Sequence, residues 1–319
     1  MRTKQIFVDL TGGDNDKQID RIGALKQFTR KFSDIQLVVG HMKGQMICKG
    51  YQLLQADKNI ELVSCETYRQ MLKYFSYISD CVFVSAGDTR ELVRQSLRIG
   101  KINKDFWPIL ANTYPVANGH VVYGDLGAIA KESIDEQDAI WIGLLIRQMT
   151  LILYGKCTMA LQNIGEEIHK GGATKEKIRV ALANHFPDEF FGNIEMHNLS
   201  KYGINCLVSN AIEANNTIKT FAGTQNDMYK KTKQGLLAPI TQIAFKLLYA
   251  LCWQELDWRR YSGGYLLGIK KPILISHGRC DKFGFYCALK RAMDPIIWTI
   301  YESINNNLEI KSFTKKAAI

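Results

Sequence analysis

The sequence lacks the short spacings by which proteins usually hold structural metal ions. None of its eight cysteines belongs to a C-x-x-C pair, and no two of its six histidines lie four residues apart. Because zinc sites commonly use such pairs, we expect no bound metal. Several cysteines, among them Cys81, Cys157 and Cys206, lie inside apolar runs, where a reduced thiol packs as a small hydrophobic side chain. The cysteine usage therefore indicates a reducing cytoplasm.

The sequence also lacks an uncharged apolar run long enough to cross a bilayer. The two best candidates, 140–153 and 236–253, are short and are interrupted by Arg147 and Lys246. The first apolar run, 6–10, has the length of a strand and not that of a signal peptide. We therefore expect a cytoplasmic protein that touches membranes only peripherally.

Two nucleotide-binding motifs are missing. A complete G-x-G-x-x-G fingerprint and a P-loop are both absent, so we predict no dinucleotide or nucleoside triphosphate ligand and no cofactor. Nucleic acid is a disfavoured partner as well, because the basic residues are not interleaved with aromatic ones and no groove-reading helix motif occurs.

The composition is that of an ordinary globular protein. Of 319 residues, 46% are hydrophobic and 23% are charged, enough to bury a full core, and we treat 1–319 as a single α/β domain. Lysine and arginine number 41 against 31 acidic residues, a net charge of +10. This excess favours an acidic partner or surface, and solubility explains it equally well.

Short β-type runs alternate with segments of helical period along most of the chain. The β-type runs include 6–10, 35–39, 81–84, 157–161 and 204–208, and the helical segments include 19–32, 138–153 and 174–184. Such alternation is typical of a mostly parallel sheet with right-handed crossovers.

A long helical segment interrupts this alternation between 211 and about 258. Apolar residues recur there at three- and four-residue spacing from Leu236 to Leu251, with Pro239 in an early turn. Three lysines between 230 and 233 precede the apolar part. A hairpin packed on itself or on a dimer partner is the favoured interpretation, and contact with an anionic membrane surface is the alternative.

Small-residue turns follow several of the apolar runs and open helix-like segments. These turns are Thr11-Gly12-Gly13-Asp14, Ser85-Ala86-Gly87-Asp88-Thr89, Asp125-Leu126-Gly127-Ala128, Asn163-Ile164-Gly165-Glu166-Glu167 and Ser276-His277-Gly278. In an open parallel sheet such turns lie together at the carboxyl ends of the strands, where helix N-terminal N–H groups face a ligand. We expect one anion site there, most simply for phosphate.

At these turns the sequence resembles the PlsX family of bacterial phosphate acyltransferases. The matching segments, in family order, are DLTGGD (9–14), VSAGDT (84–89), NIGEE (163–167) followed by Lys170-Gly171, FGNIE (191–195), and LLG (266–268) before ISHG (275–278). They resemble the family patterns D-A-M-G-G-D, V-S-A-G-N-T, N-I-G-x-E-x-G-K-G, F-x-G-N-x-E, and L-L-G before I-x-A-H-G. Together they span nearly the whole chain.

The resemblance implies a fold and an activity. The fold is a three-layer α/β/α architecture with a mostly parallel sheet, like that of isocitrate and isopropylmalate dehydrogenases, with the long helices contributing to a homodimer. The activity is transfer of a fatty acyl group from acyl carrier protein to inorganic phosphate, which gives acyl phosphate for phospholipid synthesis. The basic net charge suits an acidic carrier protein, and the helical hairpin would approach an anionic membrane.

Some positions depart from the family pattern. Asn210 and Ile129 replace family residues, and the basic K-K-D-S-S segment before the V-S-A-G turn has no counterpart. Two alternatives therefore stay open. One is a phosphotransacylase that uses acyl-CoA or another thioester, and the other is a catalytically degenerate homologue that binds carrier protein or membrane as a scaffold.

Acyl transfer to phosphate requires a phosphate cradle, donors for the oxyanion and an acid for the leaving thiolate. The candidate catalytic residues are Lys170, His277 and Asn163, and the candidate phosphate- or substrate-binding residues are Gly12, Gly13, Asp14, Ser85, Gly87, Thr89, Gly165, Asn215 and Gly278. Lys170 is expected to act as a point charge and His277 as a hydrogen-bond donor or acid. For Ser85 and Thr89 an ordinary helix N-cap is an equally good interpretation.

Overall fold

Eleven described strands form one continuous sheet. A computed structural model of the chain describes residues 3–11, 18–43, 52, 54–129, 133–278 and 280–315. The strands are β1 (Gln5–Asp9), β2 (Gln36–Met42), β3 (Ile60–Cys65), β4 (Cys81–Ser85), β5 (Ile109–Val116), β6 (Gly119–Gly124), β7 (Met159–Gln162), β8 (Phe190–Ile194), β9 (Cys206–Val208), β10 (Gly264–Leu267) and β11 (Ile273–Ile275). Their order across the sheet is β3-β2-β1-β4-β11-β10-β5-β6-β9-β7-β8.

Helices cover the sheet and extend beyond it. Those with described bounds are α1 (Gln18–Lys31), α2 (Tyr68–Tyr77), α3 (Thr89–Ser96), α4 (Glu136–Tyr154), α5 (Gly172–His185), α6 (Ala211–Lys231), α7 (Ala238–Leu248), α8 (Lys282–Met293), α9 (Ile296–Asn306) and α10 (Leu308–Ser312). The predicted strands correspond to β1, β2, β4, β7 and β9, and the predicted helices to α1, α4 and α5, within a few residues at each end. The predicted mostly parallel α/β fold is confirmed.

In the first half of the sheet, strands β1, β2 and β4 are buried over most of their length because helices cover both faces. Phe7 and Phe83 stack on one face with ring centroids 5.2 Å apart, and Phe75 of α2 packs against both. Helices α1 and α8 pack together on β1 and β4, with Phe28 in contact with Tyr286. Strands buried on both faces are typical of parallel sheets.

The second half has the same three layers. Gly124 of β6 faces α4, and a Cβ atom there would lie 2.9 Å from Ile146. The neighbouring residues Val121 and Tyr123 belong to a second apolar cluster on the opposite face, which includes Ala214 of α6. Because side chains alternate along a strand, α4 and α6 cover opposite faces.

The two halves run in opposite directions, which corrects the expectation that all small-residue turns meet at one edge of the sheet. Strands β1, β2, β3, β4 and β11 are mutually parallel, and so are β6, β9, β7 and β8. Between the two sets, β10 and β5 pair antiparallel with their neighbours, and β6 returns beside β5 in a hairpin. The turns after β1, β4 and β11 therefore leave one end of the sheet, and those after β6, β7 and β9 leave the other.

The predicted helical segment forms a hairpin of α6 and α7. Its arms touch through Tyr229 and Phe245, whose rings lie 5.6 Å apart. Helix α7 continues into a π-helical turn (Tyr249–Trp253) and two short 3-10 turns that lead back to β10. No residue of α7 is buried, and Ile240, Ile243 and Leu247 are largely exposed. Within the described residues, no helix has both the length and the mean hydropathy needed to cross a bilayer.

Candidate functional site

The carboxyl ends of β1 and β4 meet in a network around Asp9, which is fully buried. Its Oδ1 accepts hydrogen bonds from the backbone N and the hydroxyl of Thr11 (2.8 and 2.6 Å). Its Oδ2 accepts from the hydroxyls of Tyr68 and Ser85 (both 2.7 Å), and Ser85 Oγ accepts from Gly87 N (2.9 Å). Asp9 thus orders this turn.

The same network explains two neighbouring residues. Burial, followed by the negative charge of Asp9, raises the pKa of the Tyr68 hydroxyl well above its usual range, so Tyr68 serves as a neutral donor. At Gly87 a Cβ atom would lie 2.7 Å from Asp9 Oδ2, so only glycine fits beside the carboxylate. The predicted site residues Gly12, Gly13 and Asp14 lie outside the described residues.

The N-cap of α3 is neither Ser85 nor Thr89, the two residues for which capping was considered. Asp88 is the N-cap, and its side chain accepts a hydrogen bond from Glu91 N (3.0 Å). Thr89 is the first helical residue, and Ser85 is engaged with Asp9. Neither Ser85 nor Thr89 therefore acts as the helix cap. The Thr89 hydroxyl lies beside the start of the helix.

The turn after β11 is held from two sides. The carbonyl of Gly278 accepts a hydrogen bond from the guanidinium of the buried Arg21 (2.6 Å). The Ser276 hydroxyl lies 3.1 Å from that of Ser262. His277 between them is exposed, and its ring meets that of Trp258 edge to face at 6.1 Å.

A charged cluster fixes the base of the helical hairpin beside this turn. Asp257, only 3% exposed, accepts hydrogen bonds from Arg259 Nε and Nη2 (2.9 and 2.7 Å) and from the Tyr249 hydroxyl (2.5 Å). Arg259 Nη1 also donates to Asp281 Oδ2 at 2.9 Å, and Asp281 caps α8. The hairpin is therefore tied to the segment that carries His277. We call this charged cluster, together with the residues around Asp9 and around His277, the first group.

The second group of candidate residues follows β7. The buried Asn163 donates through Nδ2 to the carbonyl of Lys170 (2.8 Å) and accepts from Ile164 N (2.9 Å), so it positions the loop. Lys170 is exposed, and among the described residues its ammonium group has no hydrogen-bond partner. A Cβ at Gly165 would lie 2.8 Å from Lys170 Cγ, so glycine leaves room for the lysine side chain.

Helix α5 begins directly after this loop without a side-chain cap. Gly171 at the N-cap position has φ +87° and the next residue, Gly172, has φ +80°, a conformation that favours glycine. The N–H groups of the first turn carry partial positive charge and have no capping side chain. The exposed Lys170 therefore lies directly before the uncapped start of a helix.

The turn after β6 is organised by a second buried carboxylate. Asp125 accepts hydrogen bonds from four backbone N–H groups, of which that of Ile129 is the shortest (2.7 Å). Burial raises the pKa of the Asp125 carboxyl, and these donors oppose the rise. Asn215 Nδ2 donates to the carbonyl of Leu126 (2.9 Å), so this candidate ligand fastens α6 to the turn. Asn210 caps α6, which gives this departure from the family pattern a structural use.

The structure therefore brings the candidates together in two groups. Ser85, Gly87, Thr89, His277 and Gly278 belong to the first group, and Asn163, Gly165, Lys170 and Asn215 belong to the second. Strand β11 and strand β7 are five strand positions apart, about 24 Å along the sheet. Among the described residues no three His, Cys, Asp or Glu side chains are grouped as metal ligands.

Sequence reasoning missed three residues that shape the first group. Arg21 lies four residues before Leu25 and seven before Phe28, so helical spacing alone could have placed it on the apolar face of α1. Tyr68 gave no such signal, because its partner Asp9 lies 59 residues away in the sequence. Arg259 bonds the nearby Asp257, but its link to Asp281, 22 residues away, could not be predicted.

Comparison with known proteins gives the family. The model of a family described as "Fatty acid synthesis protein" matches residues 71–297, more than two thirds of the chain. A phosphate acyltransferase from Thermosipho melanesiensis is 25% identical, and one from Pseudothermotoga lettingae is 28% identical. Each alignment covers 96% of this chain, with 96% and 97% of the relative.

Solved structures share the fold. A branched-chain phosphotransacylase from Enterococcus faecalis superposes with a TM-score of 0.54 at 13% identity, over 90% of this chain and 98% of its own. A phosphotransacetylase from Streptococcus pyogenes gives a TM-score of 0.53 at 13% identity, with coverage of 96% and 95%. Because the family model matches more than two thirds of the sequence, the chain belongs to the fatty acid synthesis protein family of PlsX-type phosphate acyltransferases, as a divergent member.

Proposed function

We propose that the protein transfers a fatty acyl group from the thioester of acyl carrier protein to inorganic phosphate, giving acyl phosphate for phospholipid synthesis. The relatives named phosphate acyltransferase, aligned over nearly the whole chain, support acyl transfer to phosphate. The observation that carries the proposal in the molecule itself is the uncapped start of α5 beside the exposed Lys170. This arrangement suits a dianionic ligand.

The reaction needs no nucleophilic side chain because phosphate is itself the nucleophile. One phosphate oxygen forms a C–O bond with the thioester carbonyl carbon, the C–S bond breaks, and the leaving sulfur takes up a proton. In this proposal Lys170 and the N–H groups of Gly171 and Gly172 hold the phosphate, with Asn163 as a positioning residue. His277 donates to the carbonyl oxygen or protonates the sulfur.

The two groups must meet for this chemistry, since reacting atoms approach to about 3 Å. Within one chain they lie about 24 Å apart along the sheet and leave it in opposite directions. We therefore propose a homodimer in which the Lys170 group of one chain faces the His277 group of its partner. The apolar side chains exposed along α7 supply a surface for such pairing.

The test is acyl-phosphate formation from long-chain acyl carrier protein and phosphate. Lys170→Ala should raise the half-saturating phosphate concentration about 10- to 100-fold, the cost of losing one charged hydrogen bond. Lys177→Ala on the exposed side of α5 is the matched control and should behave as wild type. His277→Ala should instead lower kcat. A folded wild-type protein that forms no phosphate-dependent product from the carrier protein, or only from acyl-CoA, would contradict the proposed reaction.

Subunit mixing tests the shared site. If each site takes Lys170 from one chain and His277 from the other, a mixed dimer of Lys170→Ala and His277→Ala chains contains one intact site. At a low phosphate concentration, activity should then rise above that of either impaired protein when the two are mixed and allowed to exchange subunits. Two sites built within single chains would both stay defective, and the mixture would be no more active than its components.

A further inference from the structure

A cavity lies between the arms of the helical hairpin, and one end of it is lined by Asp257, Trp258 and Arg259 of the first group. Its volume is about 510 Å³, within the range of about 300–1,000 Å³ typical of small-molecule pockets. It is lined mainly by aromatic and apolar side chains, among them Phe221, Met228, Tyr229, Phe245 and Trp253. An apolar cavity of this size in water favours an apolar ligand.

One end of the cavity reaches the candidate catalytic turn. Trp258 lines the cavity, and its ring contacts the ring of His277 at 6.1 Å. The polar residues of this end, Asp257 and Arg259, are paired with each other, and Arg259 also bonds Asp281. The bond from Arg259 to Asp281 anchors this end of the cavity to the turn. Because Asp257 and Arg259 are paired with each other, neither presents an unpaired charge to a ligand.

The geometry points to a binding site for the fatty acyl chain in this cavity, with the thioester carbonyl at the Trp258 end beside His277. The inference rests on the proposed function, which supplies a substrate with one reactive end and one long apolar end. It adds that α6 and α7 hold the apolar end. Gln225, which donates to the carbonyl of Leu256 at 2.7 Å, keeps the two sides of the cavity together.

A cavity-filling variant tests the site through chain length. Thr224 lines the cavity, whereas Thr220, one helical turn earlier on α6, is exposed and does not. Thr224→Trp should lower kcat/KM for a hexadecanoyl donor about 10- to 100-fold, since displacement of several methylenes is costly. The same variant should leave a butanoyl donor unchanged, and Thr220→Trp should affect neither. Equal loss with both donors, or no loss with either, would overturn the acyl site.

A second measurement does not depend on turnover. Carrier protein bearing a 16-carbon chain with a diazirine at its terminal carbon is irradiated with the full-length protein, and the labelled peptides are mapped. Label on the cavity-lining residues of α6 and α7 supports the site even if no acyl phosphate forms, in which case the proposed reaction alone fails. Label elsewhere, or no label while acyl phosphate forms, overturns the site and leaves the reaction standing.

Discussion

At the scale of single residues, the candidate site is built from buried polar groups that hold turns in place. Asp9 accepts four hydrogen bonds and Asp125 accepts four more, all from groups within the protein. Asn163 and Asn215 likewise use their amides on backbone carbonyls. Burying such groups costs free energy unless each hydrogen bond is made. We therefore expect a substitution at these residues to change the conformation of the turn, and to affect the reaction through that change.

Gly87 offers the sharpest test of this view. Gly87→Ala would place a Cβ atom 2.7 Å from Asp9 Oδ2, and the carboxylate is held by four bonds and cannot yield easily. We expect a loss of about 1–3 kcal/mol in the free energy of unfolding, measured by denaturant titration.

Gly223→Ala is the control for Gly87→Ala, and its expected sign is opposite. Gly223 lies inside α6, and a Cβ there would meet no atom within 4 Å. Alanine should therefore stabilise the helix by about 0.5–1 kcal/mol. If Gly87→Ala were as stable as wild type, the tight packing of the Asp9 network would be refuted.

At the scale of elements, the hairpin depends on its base because its outer arm has no buried residue. The Arg259 guanidinium joins Asp257, at the start of a 3-10 turn, to Asp281, the cap of α8. Arg260 next to it also lies over the ring of Phe283 and donates to Gln254 Oε1 (3.0 Å). The two arginines therefore differ mainly in their carboxylate partners.

Arg259→Ala should loosen the hairpin. It leaves the Asp257 carboxylate buried without its main partner, a loss we expect to cost about 1.5–3 kcal/mol. Limited proteolysis should then cut between α6 and β10 faster than in wild type, with the sheet still folded by circular dichroism. Arg260→Ala should match wild type in cleavage rate. Equal protection in both variants would show that the carboxylate pairs do not anchor the hairpin.

At the scale of the whole molecule, the sequence could predict the elements but not their directions. Alternating apolar runs located β1, β2, β4, β7 and β9, because burial on both faces leaves a clear pattern. The direction of β10 could not be predicted, because Tyr265 and Leu266 would be equally apolar in a parallel strand. The direction of a strand depends on which strands become its neighbours across long stretches of chain. The separation of Lys170 from His277 therefore could not be predicted from the sequence.

The same limit applies to the surface of the molecule. Spacing predicted a helix over the apolar stretch from Leu236, and α7 is that helix. Whether its apolar side chains would be covered within the chain depends on distant elements, and the structure leaves Ile240, Ile243 and Leu247 exposed. In water an apolar stripe of this kind favours association. The proposed shared site requires a dimer, and we propose this stripe as its interface.

Leu247→Asp tests that dimer. Leu247 is 60% exposed, so the substitution should not unfold the chain, but a carboxylate in an apolar interface should weaken dimerisation at least about tenfold. Leu308→Asp is the matched control, because Leu308 is 78% exposed at the start of α10, far from the hairpin in sequence. Sedimentation should show monomer for Leu247→Asp and dimer for Leu308→Asp, and acyl-phosphate formation should fall with the dimer. A fully active monomer would refute the shared site, whereas an unchanged dimer that no longer binds anionic vesicles would assign the stripe to a membrane surface instead.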